Sequence, residues 1–275
     1  MKTLNLKCAV VALLLGGTAH AVEAMVPYDN FNPMEPNPVR ATKVRGIDPA
    51  RWTHVQSGAR VDSVRALAFT RLRLMSKADA GAGRFGLRFT QPAQVTAIAA
   101  KVRMNNAKST GCAVAGSPVA VSTTELTGRF FNAGTPSRGS ARDDVTASIR
   151  IVSRSTDLPA SKELRVEAVI EQCRDTSCAG RTQLFAADLG KVHQGEQASL
   201  RVQWDAANHR FVFQRDAQPE VYGTYAVSDT HSPGAPDKAL VVTHALPTCA
   251  SGAPLGYANA YFHDVLVNAS AAPAP

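Results

Sequence analysis

The chain has 275 residues, of which 45% are hydrophobic and 19% charged, and a formal net charge of +8. A chain of this size buries a large core without help from a metal or a disulfide. No His-Glu-x-x-His, Gly-x-Ser-x-Gly or glycine-rich phosphate loop is present, so the familiar metalloprotease, serine-hydrolase and nucleotide-binding motifs are excluded.

The first residues read as an export signal. Lys2 and Lys7 precede and flank the apolar run Cys8–Leu15, and small residues lead to Ala19-His20-Ala21 and then Val22-Glu23-Ala24. That layout predicts a signal peptide over 1–24, cleaved after Ala21 or Ala24. The run is too short for a membrane span, which takes about 20 residues, and no later segment reaches that length. The protein is therefore expected in the periplasm or the medium, as one domain over 25–268 with a loose tail over 269–275. Residues 25–50 are rich in Pro and Asn and read as an extended lead-in.

Beyond residue 50 nearly every patterned segment has period two, the signature of strands with one dry and one wet side. Leu72 and Leu74 alternate with Arg71 and Arg73, and Phe85, Leu87 and Phe89 with Arg84, Gly86 and Arg88. Ile98, Ala100, Val102 and Met104 alternate with Ala99, Lys101 and Arg103, and Leu164, Val166, Ala168 and Ile170 with Arg165, Glu167, Val169 and Glu171. The stretch Ser57–Leu67 also reads as strand. Residues 199–214 form a hairpin, with Asp205-Ala206-Ala207-Asn208 as its turn and Leu200, Val202, Trp204, Phe211 and Phe213 toward the core. The last strand is expected over Ala260–Asn268, with Tyr261, His263, Val265 and Val267 sharing a face. Turn residues separate the runs at spacings that predict an all-β, two-sheet antiparallel sandwich.

Four cysteines follow the signal. An even number in an exported chain points to two disulfides, with three pairings open. Cys173 with Cys178 is favoured as a short hairpin-tip bridge, leaving Cys112 with Cys249. No C-x-x-C pair supports a zinc site.

The charge is uneven. Residues 40–103 hold thirteen Arg and Lys against Asp48, Asp62 and Asp79. Arg71, Arg73, Arg84, Arg88, Lys101 and Arg103 fall on the wet side of three successive strands, and successive strands are commonly neighbours. Together they would make one cationic sheet face suited to acidic polysaccharide or lipopolysaccharide headgroups. Nucleic acid is not expected, because the chain reads as exported and the pattern shows no aromatic platform between the cations. Neutral sugars would need exposed rings. Tyr222, Tyr225 and one of the adjacent pair Phe130 and Phe131 are the candidates.

Three segments carry a family resemblance. Tyr28-Asp29-Asn30-Phe31-Asn32 with Asp48-Pro49-Ala50-Arg51-Trp52, the hairpin Val202–Asp205 with Arg210–Phe213, and the ending Ala260–Asn268 resemble the entry strand, central hairpin and closing strand of the concanavalin A-like lectin/glucanase (laminin-G-like) jelly rolls. The resemblance implies first and last strands side by side, and a superfold that hosts hydrolases, lectins and adhesion modules alike. It further implies a structural calcium where those strands meet, with Asp29 and Asp264 as its acids. The glucanase branch carries Glu-x-Asp-x-Glu on one strand. The matching segment here is Glu167-Ala168-Val169-Ile170-Glu171, with Val169 in place of the central acid. Glu167 and Glu171 would lie ~13 Å apart along a regular strand, against the roughly 5–5.5 Å of a retaining pair. The expectation is an exported, non-catalytic binding or surface-structural protein, its ligand a glycan or anionic envelope polymer. A glycan-cleaving enzyme and a ligand-free adhesion domain are the alternatives.

Overall fold

The computed structural model describes residues 23–32, 46–68, 70–114, 116–157 and 162–272. Most of the predicted signal peptide, much of the lead-in and the last three residues lie outside that range. Fifteen strands run in chain order: β1 (Met25–Asp29), β2 (Trp52–Gly58), β3 (Asp62–Ala68), β4 (Arg71–Ala78), β5 (Ala82–Phe89), β6 (Ala97–Thr110), β7 (Val121–Asn132), β8 (Asp144–Arg154), β9 (Glu163–Cys173), β10 (Arg181–His193), β11 (Gln197–Asp205), β12 (Arg210–Arg215), β13 (Val221–Thr224), β14 (Lys238–Ala245) and β15 (Leu255–Asn268).

They form two antiparallel sheets. The eight-stranded sheet has the order β13-β12-β11-β6-β15-β4-β3, with β1 added against β15; the seven-stranded sheet has the order β10-β9-β8-β7-β14-β5-β2. First and last strands are thus paired, Met25 opposite Asn268 and Val26 opposite Val267, as the resemblance implied. One continuous core fills the sandwich, from Leu72, Leu74, Ile98, Val102, Phe211 and Phe262 on one layer to Phe85, Leu87, Ile149, Val166 and Leu240 on the other. Each such side chain contributes about 1.5–3 kcal/mol by leaving water.

The entry motif explains itself chemically. The Trp52 indole donates to Asp29 Oδ2 at 2.7 Å and the Phe31 amide donates to Oδ1 at 2.8 Å. Trp52 packs against Phe89, Tyr28 and Phe31, with ring centroids 4.6–5.5 Å apart. Asp48 takes the Ala50 amide on its side chain and the Trp52 amide on its carbonyl. An Asp at 29 and a Trp at 52 therefore fasten the entry strand to the core.

Both favoured disulfides are present. Cys112 and Cys249 have their Cα atoms 5.3 Å apart and bridge the two chain halves; Cys173 and Cys178 close the β9–β10 tip at 4.7 Å. Among the described residues no helix is long and apolar enough to cross a membrane.

Several local expectations differ from the structure, each for a reason in the register. Ser57–Leu67 is two strands, because Gly58 adopts φ +75 and ends β2 before β3 begins. Phe130 and Phe131 are both buried; a register shift between Arg129 and Phe131 turns consecutive rings to the same side. The closing strand starts earlier, at Leu255, and a shift between His263 and Leu266 breaks its alternation. Asp264 takes φ +50 there. Phe262, Val265 and Val267 face the core, while Tyr261 and His263 do not. The predicted tail begins with a single tight turn, Ala269–Ala271, whose first amide donates to the Ala24 carbonyl at 3.0 Å.

Candidate functional site

The six cations predicted to share one sheet face do not do so. Arg71 and Arg73 lie on β4 and Lys101 and Arg103 on β6, both in the eight-stranded sheet, whereas Arg84 and Arg88 lie on β5 in the other layer. The assumption that failed was neighbourhood by sequence: β5 crosses to the second sheet, and β15 inserts between β4 and β6.

That insertion has a consequence the sequence reading missed. On the outer face of the eight-stranded sheet, Tyr261 sits opposite Arg73 on one side and Arg103 on the other. Four residues earlier, Tyr257 sits opposite Lys77 and Lys108. Asn259 occupies the row between them and accepts from Arg73 Nε at 3.0 Å. The two tyrosines are half-buried, and Lys77 and Lys108 are exposed. Among the described residues no acid lies within ion-pair distance of Arg71, Arg73, Lys77, Arg103 or Lys108, and neither tyrosine hydroxyl has a hydrogen-bond partner. Lys101 is the exception, bonded to Asp264 at 2.8 Å. Aromatic rings between the cations are thus supplied by β15, more than 140 residues away in the chain. The period-two signal of Tyr257, Asn259 and Tyr261 was visible, but not its partners.

The outer face of the seven-stranded sheet is differently built. Here a cleft of about 480 Å³ runs over β5, β14, β7 and β8 to the disulfide-closed β9–β10 tip. Its floor is hydroxylated, with Thr127, Thr146 and Thr243, and Arg84, Arg129, Arg150 and Arg181 stand round it beside Glu125, Glu171 and Asp237. Glu125 Oε1 accepts from both Thr123 Oγ1 at 2.7 Å and Thr243 Oγ1 at 2.8 Å. Arg84 pairs with Asp237, Arg150 with Glu167 at 3.3 Å and Arg181 with Glu171 at 2.9 Å. Arg129 donates to the Ala235 carbonyl at 2.8 Å, and burial draws its guanidinium below the usual arginine range, against the pull of Asp237. Burial pushes up the Asp237 carboxyl, but Arg84 and Arg129 outweigh it and hold the group below the ordinary aspartate value. Among the described residues no Phe, Tyr or Trp lines this cleft. Arg88 stays on the same face, exposed, and donates from Nε to Thr53 Oγ1 at 3.3 Å.

The two glutamates of the glucanase-like segment both point outward from β9, but they do not form a pair. Glu171 lines the cleft; Glu167 belongs to a separate depression of about 260 Å³. Glu167 is clamped by Arg150 and, at 2.6 Å, by Arg154. Each carboxylate is therefore held by guanidinium, and neither faces the other across a gap where a sugar could sit.

The calcium expectation meets the same kind of obstacle. Both Asp29 oxygens already serve Trp52 and Phe31, and Asp264 is neutralised by Lys101 with His263 at 3.4 Å. Among the described residues no cluster of three His, Cys, Asp or Glu is suited to a metal. Asp29 and Asp264 do line one pocket together, with Pro27 and Asn30 beside them. Of the aromatic candidates, Tyr222 is 46% exposed, with Arg210 over its ring at 4.2 Å. Tyr225 is drawn inward by hydrogen bonds with Trp204 at 2.8 Å and Asp229 at 2.6 Å.

Two ionisable groups face inward from β14. Lys238 is buried, donates to the Pro92 carbonyl at 2.8 Å and lies 4.8 Å from the Phe130 ring centroid. Burial pulls its ammonium down to about 7. His244 lies against Ser122 at 3.0 Å, and burial pulls its imidazole down to about 4.

No protein-family model matches the chain, and no curated protein matches it in sequence. Solved structures do. A Bacillus licheniformis β-glucanase is 12% identical, with 78% of this chain and 92% of that one aligned at a TM-score of 0.40. A carbohydrate binding module from Bacillus subtilis is 9% identical over 78% and 94% at 0.38. A GlcNAcα1-4Gal releasing endo-β-galactosidase from Clostridium perfringens is 11% identical over 90% and 64% at 0.45. Likeness at this level carries no weight for what this chain binds.

Proposed function

We propose that the protein is an exported, non-catalytic glycan-binding protein, and that the cleft on the seven-stranded sheet is its sugar site. The observation that carries the reading is the composition of that cleft: a hydroxyl floor with carboxylate and guanidinium side chains already paired with one another. Paired charges cancel at a distance but still offer donors and acceptors at close range, which is what a polyhydroxyl ligand uses. The clamping of Glu167 and Glu171 by arginines supports a binding role over cleavage. Two disulfides are compatible with an oxidising compartment.

Isothermal titration against a panel of neutral and acidic oligosaccharides tests this. Saturable binding is expected, little changed by added salt, and weakened about tenfold by Glu125→Gln or Thr146→Val through lost hydrogen bonds. Hydrolysis of any bound oligosaccharide that stops in Glu167→Gln or Glu171→Gln would refute the non-catalytic reading. Binding indifferent to both cleft substitutions would refute the location.

A further inference from the structure

The β4–β15–β6 part of the face opposite the cleft has the reverse chemistry. β4 and β6 form two cationic rails, with Arg71, Arg73 and Lys77 on one side of β15 and Arg103 and Lys108 on the other. Between the rails β15 presents Tyr257 and Tyr261 to the outside. Neighbouring strands are ~4.8 Å apart, so flanking cations stand roughly 10 Å apart across each tyrosine, and the two tyrosine rows are ~13 Å apart along the strand.

Unpaired cations on a folded surface repel one another, and a chain whose only need was polarity would intersperse acids. The seven-stranded face does so, and so does the β11–β13 end of this one, where Arg201 pairs with Glu220 and Arg210 with Asp205; over β4, β15 and β6 the exceptions are Asp264, bonded to Lys101, and Asp62, across from Lys77 at the β3 edge. Among the described residues each tyrosine also has no hydroxyl partner and no stacked ring. Cations on both sides of an aromatic track suit an extended polyanion whose rings lie on the tyrosines and whose charged groups reach both rails.

We propose that this face is a second binding surface, independent of the cleft, for a carboxylated or sulfated polysaccharide lying along β15. The polymer is favoured over a small anion because the cations are spread over two rows along β15. Polysaccharide is favoured over nucleic acid because the two tyrosines are spaced too widely to stack consecutive bases. Both rails and both tyrosines act together, whereas Lys101 is already committed to Asp264.

The test uses the intact protein with immobilised heparin, polygalacturonate, neutral dextran, single-stranded DNA and phosphatidylglycerol vesicles as probes. Binding to heparin or polygalacturonate is expected, with none to dextran. Its affinity should fall with salt, in proportion to the number of cations engaged. The combined R73Q/K77Q/R103Q/K108Q protein should lose roughly tenfold to a hundredfold in affinity and most of the salt dependence. Tyr257→Ser with Tyr261→Ser should weaken binding several-fold and leave the salt dependence unchanged. Circular dichroism checks that both variants remain folded, and Glu125→Gln, on the opposite face, should bind these polymers as the natural protein does. Undiminished binding by the four-fold variant, tighter binding to the DNA or the vesicles than to the polysaccharides, or no binding to either acidic polymer would overturn the proposal.

Discussion

The two outer faces of the sandwich carry similar numbers of arginines and lysines, and the contrast lies between the seven-stranded face and the β4–β15–β6 part of the eight-stranded one. On the seven-stranded face Arg84, Arg150, Arg154, Arg165 and Arg181 each have an acid partner. On the β4–β15–β6 part of the eight-stranded face five cations have none among the described residues, whereas Lys101, Arg201 and Arg210 on the same sheet are paired. A paired cation is part of the architecture: its removal strands a half-buried acid. An unpaired one contributes little to folding, and its arrangement has to be explained by something outside the chain. Counting charge along a sequence does not separate the two cases, because the partner acids of the first kind lie on other strands.

The asymmetry extends to the inner sides. The seven-stranded layer turns Lys238 and His244 into the core, while the corresponding strands β4, β6 and β15 turn in mainly aliphatic and aromatic residues. The largest effect is expected at Lys238. Its folded-state value of about 7 lies below the 10.5 of an unfolded lysine. The unfolded chain therefore binds more protons between those values, and stability climbs as pH rises across that interval. Lys238→Met should raise stability at neutral pH by on the order of 3 kcal/mol and flatten the climb. Denaturant unfolding at neutral and alkaline pH reads both, and a destabilised Lys238→Met protein would show that the Pro92 hydrogen bond outweighs the desolvation.

Next in size is Asp237→Asn. Asp237 is buried and neutralises Arg84 beside Arg129, so the change should cost about 2 kcal/mol in the same unfolding assay. A loss confined to a few tenths would mean that this pair is no more structural than a solvent-exposed one. His244 sharpens the inner contrast in acid. Its folded value of about 4 lies below the unfolded 6.5. Stability should fall as pH drops through that window, and His244→Gln should reduce the fall by about 1–2 kcal/mol. A pH series of melting curves measures it. The smallest effect is expected on the other face, where Arg73→Gln should shift stability by no more than about 0.5 kcal/mol.

Much of this was readable beforehand, and the limits have physical causes. Alternation in 71–74, 84–89, 98–104 and 164–171 located core and surface correctly, because side chains in a strand alternate whatever the neighbours are. The Asp29 and Trp52 entry motif and both disulfides were also legible. Adjacency was not. Nothing local in Ala82–Phe89 says that β5 crosses to the second sheet, and nothing in Arg71–Ala78 or Ala97–Thr110 says that β15 will come between them. Bulges were likewise invisible: the ones at Phe131 and Asp264 each reverse the faces expected downstream. The cleft escaped notice because Glu125, a lone acid among threonines, becomes interesting only when β14 brings Thr243 to it.

The most direct test of the contrast is a pair of melting curves, for Arg150→Gln on the seven-stranded face and Arg103→Gln on the eight-stranded face. Arg150→Gln takes one of its two clamps from Glu167, and Tm should drop by several degrees, at about 2–4 °C per kcal/mol for a chain of this size. Arg103→Gln should melt within about a degree of the natural protein. Equal losses at the two positions would contradict the division into structural and free cations.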